Sequence, residues 1–260
     1  MKISATTFIT EWMKLRRSKL FWATFIFFIF IPLMMGLLMY VSQHPEIGSK
    51  LGLIGTKATM FGENDWEGFL SVLNQLIASV GLIGFGFVTS WIFGREYLEH
   101  TLTDIIALPV SRSSIVIAKF IIIFIWCALL TLILFLTGLA IGHIIAIPGW
   151  SQQVLLKNAG IYFYTAFLTL LLTTTVAFIA TIGKGIIAPI GFVIIVLIIA
   201  QFVALVGLGP YFPWAIPGIN TIPPGTQGLE IVPASYIILI LTSILGFTGT
   251  IAWWRYADQR

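Results

Sequence analysis

Residues 120–156 read FIIIFIWCALLTLILFLTGLAIGHIIAIPGWSQQVLL, a stretch that contains no Asp, Glu, Lys or Arg. About 20 apolar residues are enough for a helix to cross the roughly 30 Å hydrocarbon core of a bilayer. Further charge-free stretches of sufficient length lie at 20–45, 68–94, 158–183, 185–229 and 231–254. The sequence therefore predicts an all-α, polytopic membrane protein.

The composition of the whole chain agrees with this prediction. Of 260 residues, 58% are hydrophobic and 9% are charged, and the mean hydropathy is +1.02. Soluble domains have about a quarter of their residues charged, so a cytosolic enzyme, a nucleic-acid-binding module and a disordered tail are all excluded. The single cysteine, Cys127, excludes an internal disulfide and a cysteine-based metal site.

Six spans are predicted in a single membrane domain that covers residues 1–260. They lie near 20–42, 69–93, 117–142, 158–182, 185–207 and 232–254. The long apolar stretch between 158 and 207 is divided in two, because Lys184 stands between two flexible glycines at its middle. The first span is too long for the apolar region of a signal peptide and is followed by no small-residue cleavage site, so we expect it to remain in the protein.

The distribution of basic residues predicts the orientation of the spans. With the N-terminus inside, the inner segments carry all but three of the 14 basic residues, and only Lys50, Lys57 and Lys157 lie outside. An excess of Lys and Arg marks cytoplasmic segments. Both termini are therefore expected in the cytoplasm, with the chain in the cell membrane. The basic pI reflects this asymmetry and does not indicate nucleic-acid binding.

Three segments outside the spans have patterns of their own. Residues 3–19 place apolar side chains at helical spacing with basic residues on the other faces, which predicts a helix lying in the inner interface; a plain basic anchor is the alternative.

In the loop 94–116, Thr101 and Asp104 match a capping box, and Pro109 ends the short apolar helix that follows. Such a helix suits docking of a soluble partner, although a simple connector between spans is the alternative.

The third segment, residues 208–231, is the aromatic–proline segment. It combines five prolines with Tyr211, Phe212 and Trp214 and carries one charge, at Glu230. Prolines break helices, and aromatic side chains suit the headgroup region. We therefore predict a re-entrant or surface-lying outer element just before span six.

Residues for catalysis, metal binding or ion coupling are missing from the sequence. The three histidines, His44, His100 and His143, lie in loops or at span ends, and none has a second ligand three or four residues away. The span interiors lack the ionisable residues that ion-coupled transporters keep, and no GxxxxGK[ST] loop is present. An energised transporter built on this chain must take its energy from another subunit, so the chain itself is not expected to be an enzyme.

Uncharged polar residues within the spans are the remaining candidates for a substrate path, namely Asn74, Gln75 and Gln201. Hydrogen bonding between helices is the alternative role for these side chains, together with close packing at the span glycines.

The loop itself resembles a known signature. Gly94-Arg95-Glu96-Tyr97, then residues 101–112 (TLTDIIALPVSR) and Lys119, resemble the motif of type 2 ABC transporter permeases. Residues 211–217 (YFPWAIP) look like the bacitracin-resistance and lantibiotic-immunity branch of that family. One departure is His100, which stands where the family usually has glycine.

The resemblance implies an architecture and a set of partners. The loop 94–116 would hold a coupling helix that docks on a separate cytoplasmic ABC ATPase, which would bind ATP and Mg²⁺; no cofactor is expected in this chain. A second permease chain, identical or a sibling, would complete the transporter. The coupling residues implied are Arg95, Glu96, Glu99, Thr101, Leu102, Asp104, Ile105 and Pro109.

The function expected from these features is that of the membrane subunit of an ATP-driven exporter. Because the spans lack counter-charges, an amphiphilic cargo is favoured, such as a peptide antibiotic of the bacitracin or lantibiotic type, leaving past the aromatic–proline segment. Two alternatives stay open: a facilitative or secondary carrier, and a non-transporting immunity or scaffold protein.

Overall fold

The computed structural model describes residues 12–16, 18–44, 64–99, 101, 111–223, 225 and 229–257. Six long helices account for most of this part of the chain, and a 3-10 helix and a short α-helix lie between the last two. The helices are α1 Lys19–Gln43, α2 Trp66–Leu98, α3 Arg112–Ile144, α4 Gln152–Ile182, α5 Ile187–Leu205, α6 Ile216–Ile219 and α7 Pro233–Tyr256, with the 3-10 helix at Gly209–Tyr211.

The predicted fold class is confirmed. The helices α1 to α5 and α7 are each long and apolar enough to cross a membrane, and no strand occurs among the described residues. α2 and α3 extend beyond the apolar spans predicted from the sequence, since α2 continues to Leu98 and α3 already begins at Arg112. The sequence predicts an end near 93 for the second span and a start near 117 for the third, whereas α2 runs on through Glu96 and α3 begins before Lys119, and these two charged side chains pair with each other.

Short polar side chains begin four of the long helices. Ser18, Asp65, Ser111 and Ser151 each accept a hydrogen bond from a backbone N–H in the first turn of α1, α2, α3 and α4. The first turn of a helix leaves its N–H groups without partners in the helix, so such caps satisfy donors that would otherwise need water.

The bundle is organised around α2 and α4, which form the most extensive helix pair. On one side, α1 packs against α3; on the other, α5 packs on α2 and α7 packs on α4. α7 approaches α4 closely at Gly246, where a Cβ atom would lie 2.5 Å from the backbone nitrogen of Thr175. The hydroxyl of Thr174 also donates to the carbonyl of Ser243, 2.8 Å away, which joins the two helices at the same level.

Only a part of the predicted N-terminal helix lies in the described residues. Residues 12–16 are helical, and Leu15 is buried in the main hydrophobic core with Trp12 packed against that core. The apolar face of this segment therefore contacts the bundle itself. Its position relative to a bilayer stays a prediction.

The aromatic–proline segment folds back between α5 and α7. Its 3-10 helix and α6 both have proline in the first turn, where the missing N–H is not needed. The Nδ2 of Asn220 donates to the hydroxyl of Thr165 on α4, at 2.9 Å, and the Trp214 ring packs edge-on against Phe192 of α5, 5.5 Å between centroids. The segment is thus fastened to α4 and α5.

We expect Gly246→Val to destabilise the bundle, because the added side chain would displace the backbone of α4. Overpacking of this kind costs about 1–3 kcal/mol. Gly160→Val in α4 is the matched control, since a Cβ atom at Gly160 meets nothing within 4 Å. The measurement is unfolding of the purified chain in detergent with increasing denaturant. Equal effects of the two substitutions would contradict close packing at Gly246.

Candidate functional site

The polar side chains inside the bundle are mostly satisfied by the bundle. Many Ser and Thr hydroxyls donate to the carbonyl three or four residues earlier, as Thr169 does to Thr165 at 2.9 Å. Asn74 on α2 donates through Nδ2 to the Oδ1 of Asn158 on α4 at 3.0 Å, and both side chains are buried. This geometry assigns Asn74 to the contact between α2 and α4.

Charged side chains meet at the end of the bundle where α2 ends and α3 begins, which is called the α2–α3 end below. Glu96, in the last turn of α2, is 1% exposed, and its Oε1 accepts a hydrogen bond of 2.7 Å from the Nζ of Lys119 on α3. The Nζ of Lys14, from residues 12–16, lies 3.8 Å from the same oxygen. Glu96 is therefore the point at which three segments meet.

The ammonium of Lys119 is enclosed by protein on its other sides. Its side chain is fully buried, and Nζ also donates to the backbone carbonyl of Ile92 at 2.9 Å. The rings of Phe93 and Trp254 lie 5.7 and 5.8 Å from Nζ, a range in which the face of an aromatic ring attracts a cation. Through Trp254, the last long helix, α7, also reaches this cluster.

The other predicted coupling residues lie nearer the surface or outside the described residues. The guanidinium of Arg95 stacks 4.5 Å above the Trp91 ring, and its Nε is 3.9 Å from the carboxylate of the exposed Glu99. The backbone N–H of Thr101 donates to the carbonyl of Glu96 at 3.2 Å and closes the end of α2. Leu102, Asp104, Ile105 and Pro109, with the helix predicted there, lie outside the described residues.

A cavity of about 250 Å³ lies between α2, α5 and the aromatic–proline segment; we call it the α2–α5 cavity. Gln75 and Gln201, two of the three residues predicted for a substrate path, both line it, whereas Asn74 faces away from it. No charged residue is among the described residues that line the cavity. The remaining lining is Ala78, Ser79, Leu82, Leu197, Ala200, Ala204, Trp214, Ala215, Gly218, Ile219, Thr221 and Ile222.

The predicted aromatic residues of residues 208–231 occupy different environments. Trp214 lines the cavity, and its buried Nε1 donates no hydrogen bond to the described part of the chain. Phe212 packs on Trp214 with 5.3 Å between ring centroids, and Tyr211 is exposed outside the cavity. A cavity with uncharged amides, an indole and small apolar side chains can hold a molecule that has both polar and apolar parts.

Comparison with known proteins identifies the family. The sequence model for ABC-2 family transporter proteins matches residues 7–201, three quarters of the chain. The chain belongs to the ABC-2 transporter family. It is also 30% identical to the bacitracin transport permease protein of Bacillus licheniformis over 193 residues, which cover 74% of this chain and 92% of that relative. No solved structure matches the chain.

These findings confirm the resemblance to type 2 ABC permeases near the bacitracin-resistance branch. The protein is thus a multi-pass membrane subunit of an ABC transporter, a kind of subunit that is generally non-catalytic. The family match ends at Gln201, so the aromatic–proline segment and α7 lie beyond it. In the described residues, no three His, Cys, Asp or Glu side chains are grouped as a metal site would require.

Sequence reasoning missed the partner of Glu96 and half of the cavity's polar lining. Lys119 is one of the inner basic residues and part of the family motif, and neither feature signals its pairing with Glu96, because a lysine beside a span is the usual cytoplasmic flank. For the cavity, Ser79 carried a signal, because it lies one helical turn after Gln75 and residues four apart share a helix face. Thr221 carried no such signal, since it reaches the cavity from a turn.

We expect Asn74→Leu to lower the free energy of unfolding and Gln75→Leu to leave it unchanged, although the residues are neighbours. The first removes a buried hydrogen bond between α2 and α4 and leaves the Asn158 oxygen unpaired, which costs about 1 kcal/mol in a membrane protein. The second changes an exposed side chain in the cavity and should leave stability unchanged. Denaturant unfolding in detergent measures both; equal losses would contradict this arrangement.

Proposed function

We propose that the chain is the permease subunit of an ATP-driven exporter, powered by a separate cytoplasmic ATPase and moving an amphiphilic cargo outward. The observation that carries the proposal is the ABC-2 family match over residues 7–201 of a six-helix bundle. The sequence adds that the chain has no phosphate-binding loop of its own. ATP and Mg²⁺ would then be bound by the partner, and the energy would reach this chain through contacts at the α2–α3 end.

The proposed contact with the ATPase is the segment between α2 and α3. We call the end of α2 and the start of α3 the two stems of this segment. The ion pair between Glu96 and Lys119 joins the stems, and Arg95 and Glu99 lie at the end of α2. The resemblance implies polar docking contacts at Glu96, Glu99, Thr101 and Asp104 and apolar ones at Leu102 and Ile105. Of these, Leu102, Asp104 and Ile105 lie outside the described residues. With the N-terminus in the cytoplasm, as the basic residues predict, this end of the bundle faces the ATPase.

A second permease chain is proposed as the other half of the transporter. α5 and α7 bury much less of their surface within one chain than α2 and α4 do. Their apolar outer faces are therefore available to a second copy or a sibling chain as well as to lipid. The α2–α5 cavity opens between one of these outer helices and the centre of the bundle.

The proposed cargo is an amphiphile taken from the membrane. The cavity offers amide and hydroxyl groups at Gln75, Gln201 and Ser79 among small apolar side chains, and its described lining residues supply no counter-charge for an ion. The relative from Bacillus licheniformis is named for transport of bacitracin, a peptide antibiotic. A peptide antibiotic of this kind is the cargo that we propose to test first.

We expect the chain to co-purify with an ATPase from detergent-solubilised native membranes, and Leu102→Ala to reduce that capture. Loss of a well-packed apolar contact is worth about 1–3 kcal/mol, or roughly tenfold or more in affinity. Leu156→Ala is the control, because Leu156 is an exposed leucine at the opposite end of the bundle. Transport by the chain without any ATPase would contradict the proposal and favour a facilitative carrier.

We expect the double substitution Gln75→Ala/Gln201→Ala to lower export of bacitracin by several-fold, since each lost hydrogen bond is worth about 0.5–1.5 kcal/mol. The readout is antibiotic survival and uptake of labelled peptide in cells at equal membrane levels of the protein. Gln153→Ala, an exposed glutamine outside the cavity, is the control. Handling of small hydrophilic ions alone would contradict an amphiphilic cargo, and binding without export would favour an immunity protein.

A further inference from the structure

Glu96 and Lys119 stand on the two stems of the segment that joins α2 to α3. Glu96 lies in the last turn of α2, and Lys119 lies two turns into α3. Their side chains meet at 2.7 Å, and the lysine also bonds the backbone of α2 at the Ile92 carbonyl, at 2.9 Å. The pair therefore joins α2 to α3 by a side-chain contact and a backbone contact.

The pair is inaccessible to a docking partner in this structure. Glu96 is 1% exposed and Lys119 is 0% exposed, with aromatic rings of α2 and α7 around the ammonium. The resemblance to type 2 permeases placed Glu96 among the polar contacts to the ATPase. Its burial indicates a different role, because a side chain must reach the surface to contact a soluble protein.

Stability alone does not account for a buried ion pair. Taking two charges out of water costs free energy that their attraction often fails to recover, so an apolar pair of similar volume is often as stable or more so. Removing one partner is harmful, since it leaves a buried charge unpaired. A hydrogen-bonded ion pair also depends on the separation and relative rotation of the two helices, because its strength falls steeply away from a short distance and a near-linear angle.

We propose that the Glu96–Lys119 pair is a positioning pair that makes the two stems of the coupling segment move as one body. The proposal rests on the proposed function, in which an ATPase pushes on this segment. With the stems joined, the displacement tilts α2 and α3 together. Lys14 lies 3.8 Å from the same carboxylate oxygen of Glu96, and the Trp254 ring of α7 lies beside the ammonium of Lys119. The N-terminal segment and α7 therefore move with the pair.

The first test is a double-mutant cycle in the complete transporter, reconstituted in proteoliposomes with its ATPase. Glu96→Gln removes the carboxylate of the 2.7 Å ion pair, Lys119→Met removes its ammonium, and the double variant removes both charges of the pair. We expect either single variant to retain the ATPase but to lower transport per ATP hydrolysed by about tenfold, a typical size for a coupling between two sites, because the two stems can then move independently. The double variant should recover much of the stability but not the coupling, because an apolar contact does not fix the stems.

A matched control exists at the opposite end of the same helix. Glu67 on α2 and Lys157 on α4 form an exposed ion pair of 2.9 Å. Exposed pairs contribute little, so Glu67→Gln/Lys157→Met should leave coupling unchanged.

One outcome that overturns the proposal is loss of ATPase binding in Glu96→Gln, as expected for Leu102→Ala, with binding retained in Lys119→Met. Glu96 would then be a docking contact. Full coupling in the double variant overturns it as well.

A second test needs no ATPase and separates failure of this proposal from failure of the proposed function. Spin labels at Leu98 and Ser113, in a Cys127→Ala chain in nanodiscs, report the distance between the two stems. We expect a narrow distance distribution that broadens in Glu96→Gln and in Glu96→Gln/Lys119→Met, and that stays narrow in Glu67→Gln/Lys157→Met. An unchanged distribution in both Glu96 variants overturns the positioning role whatever the transporter's energy source.

Discussion

A polar group inside the hydrocarbon of a bilayer has no water to bond, so the protein itself must satisfy it. This constraint accounts for much of the bundle's internal arrangement. Hydroxyls bond to carbonyls of their own helix, Asn74 bonds to Asn158 across the α2–α4 contact, and Glu96 bonds to Lys119 where α2 and α3 meet. Each bond between helices fixes a rotation about a helix axis that apolar side chains leave open. Glycines such as Gly246 then allow the backbones to approach.

The exposed polar side chains of the α2–α5 cavity differ from those inside the bundle, because they face an open space and not another helix. Gln75 is adjacent to Asn74 in sequence, yet its amide faces the cavity, where the protein does not enclose it. Gln201 and the indole Nε1 of Trp214 share the cavity. The amides of Gln75 and Gln201 can therefore bond a partner from outside the chain that enters the cavity. A cargo with polar and apolar parts, or a second permease chain, can supply such a partner.

The sequence was sufficient to predict the fold class, because charge-free stretches and helix length depend on the bilayer thickness and not on packing. It was also sufficient for the two cavity glutamines as candidates. The pairing of Glu96 with Lys119 could not be predicted from the sequence, because the two residues are 23 positions apart and their contact depends on how the two helices rotate and pack. The separate environments of Asn74 and Gln75 depend on the same rotation. The residues that the family motif marks most clearly, Leu102 to Pro109, fall outside the described part.

The role that we propose for Glu96 depends on both the family motif and the structure. A motif places a carboxylate at this position but does not say whether it faces a partner or another helix. Burial and a 2.7 Å bond to Lys119 favour the second. A permease that is powered by a separate ATPase needs a loop on which the ATPase can dock. The two helices that carry this loop must not separate when the ATPase displaces it. Apolar side chains tolerate small shifts in packing, whereas the 2.7 Å hydrogen bond between Glu96 and Lys119 requires a defined distance and angle, so the pair keeps the stems in register as they tilt.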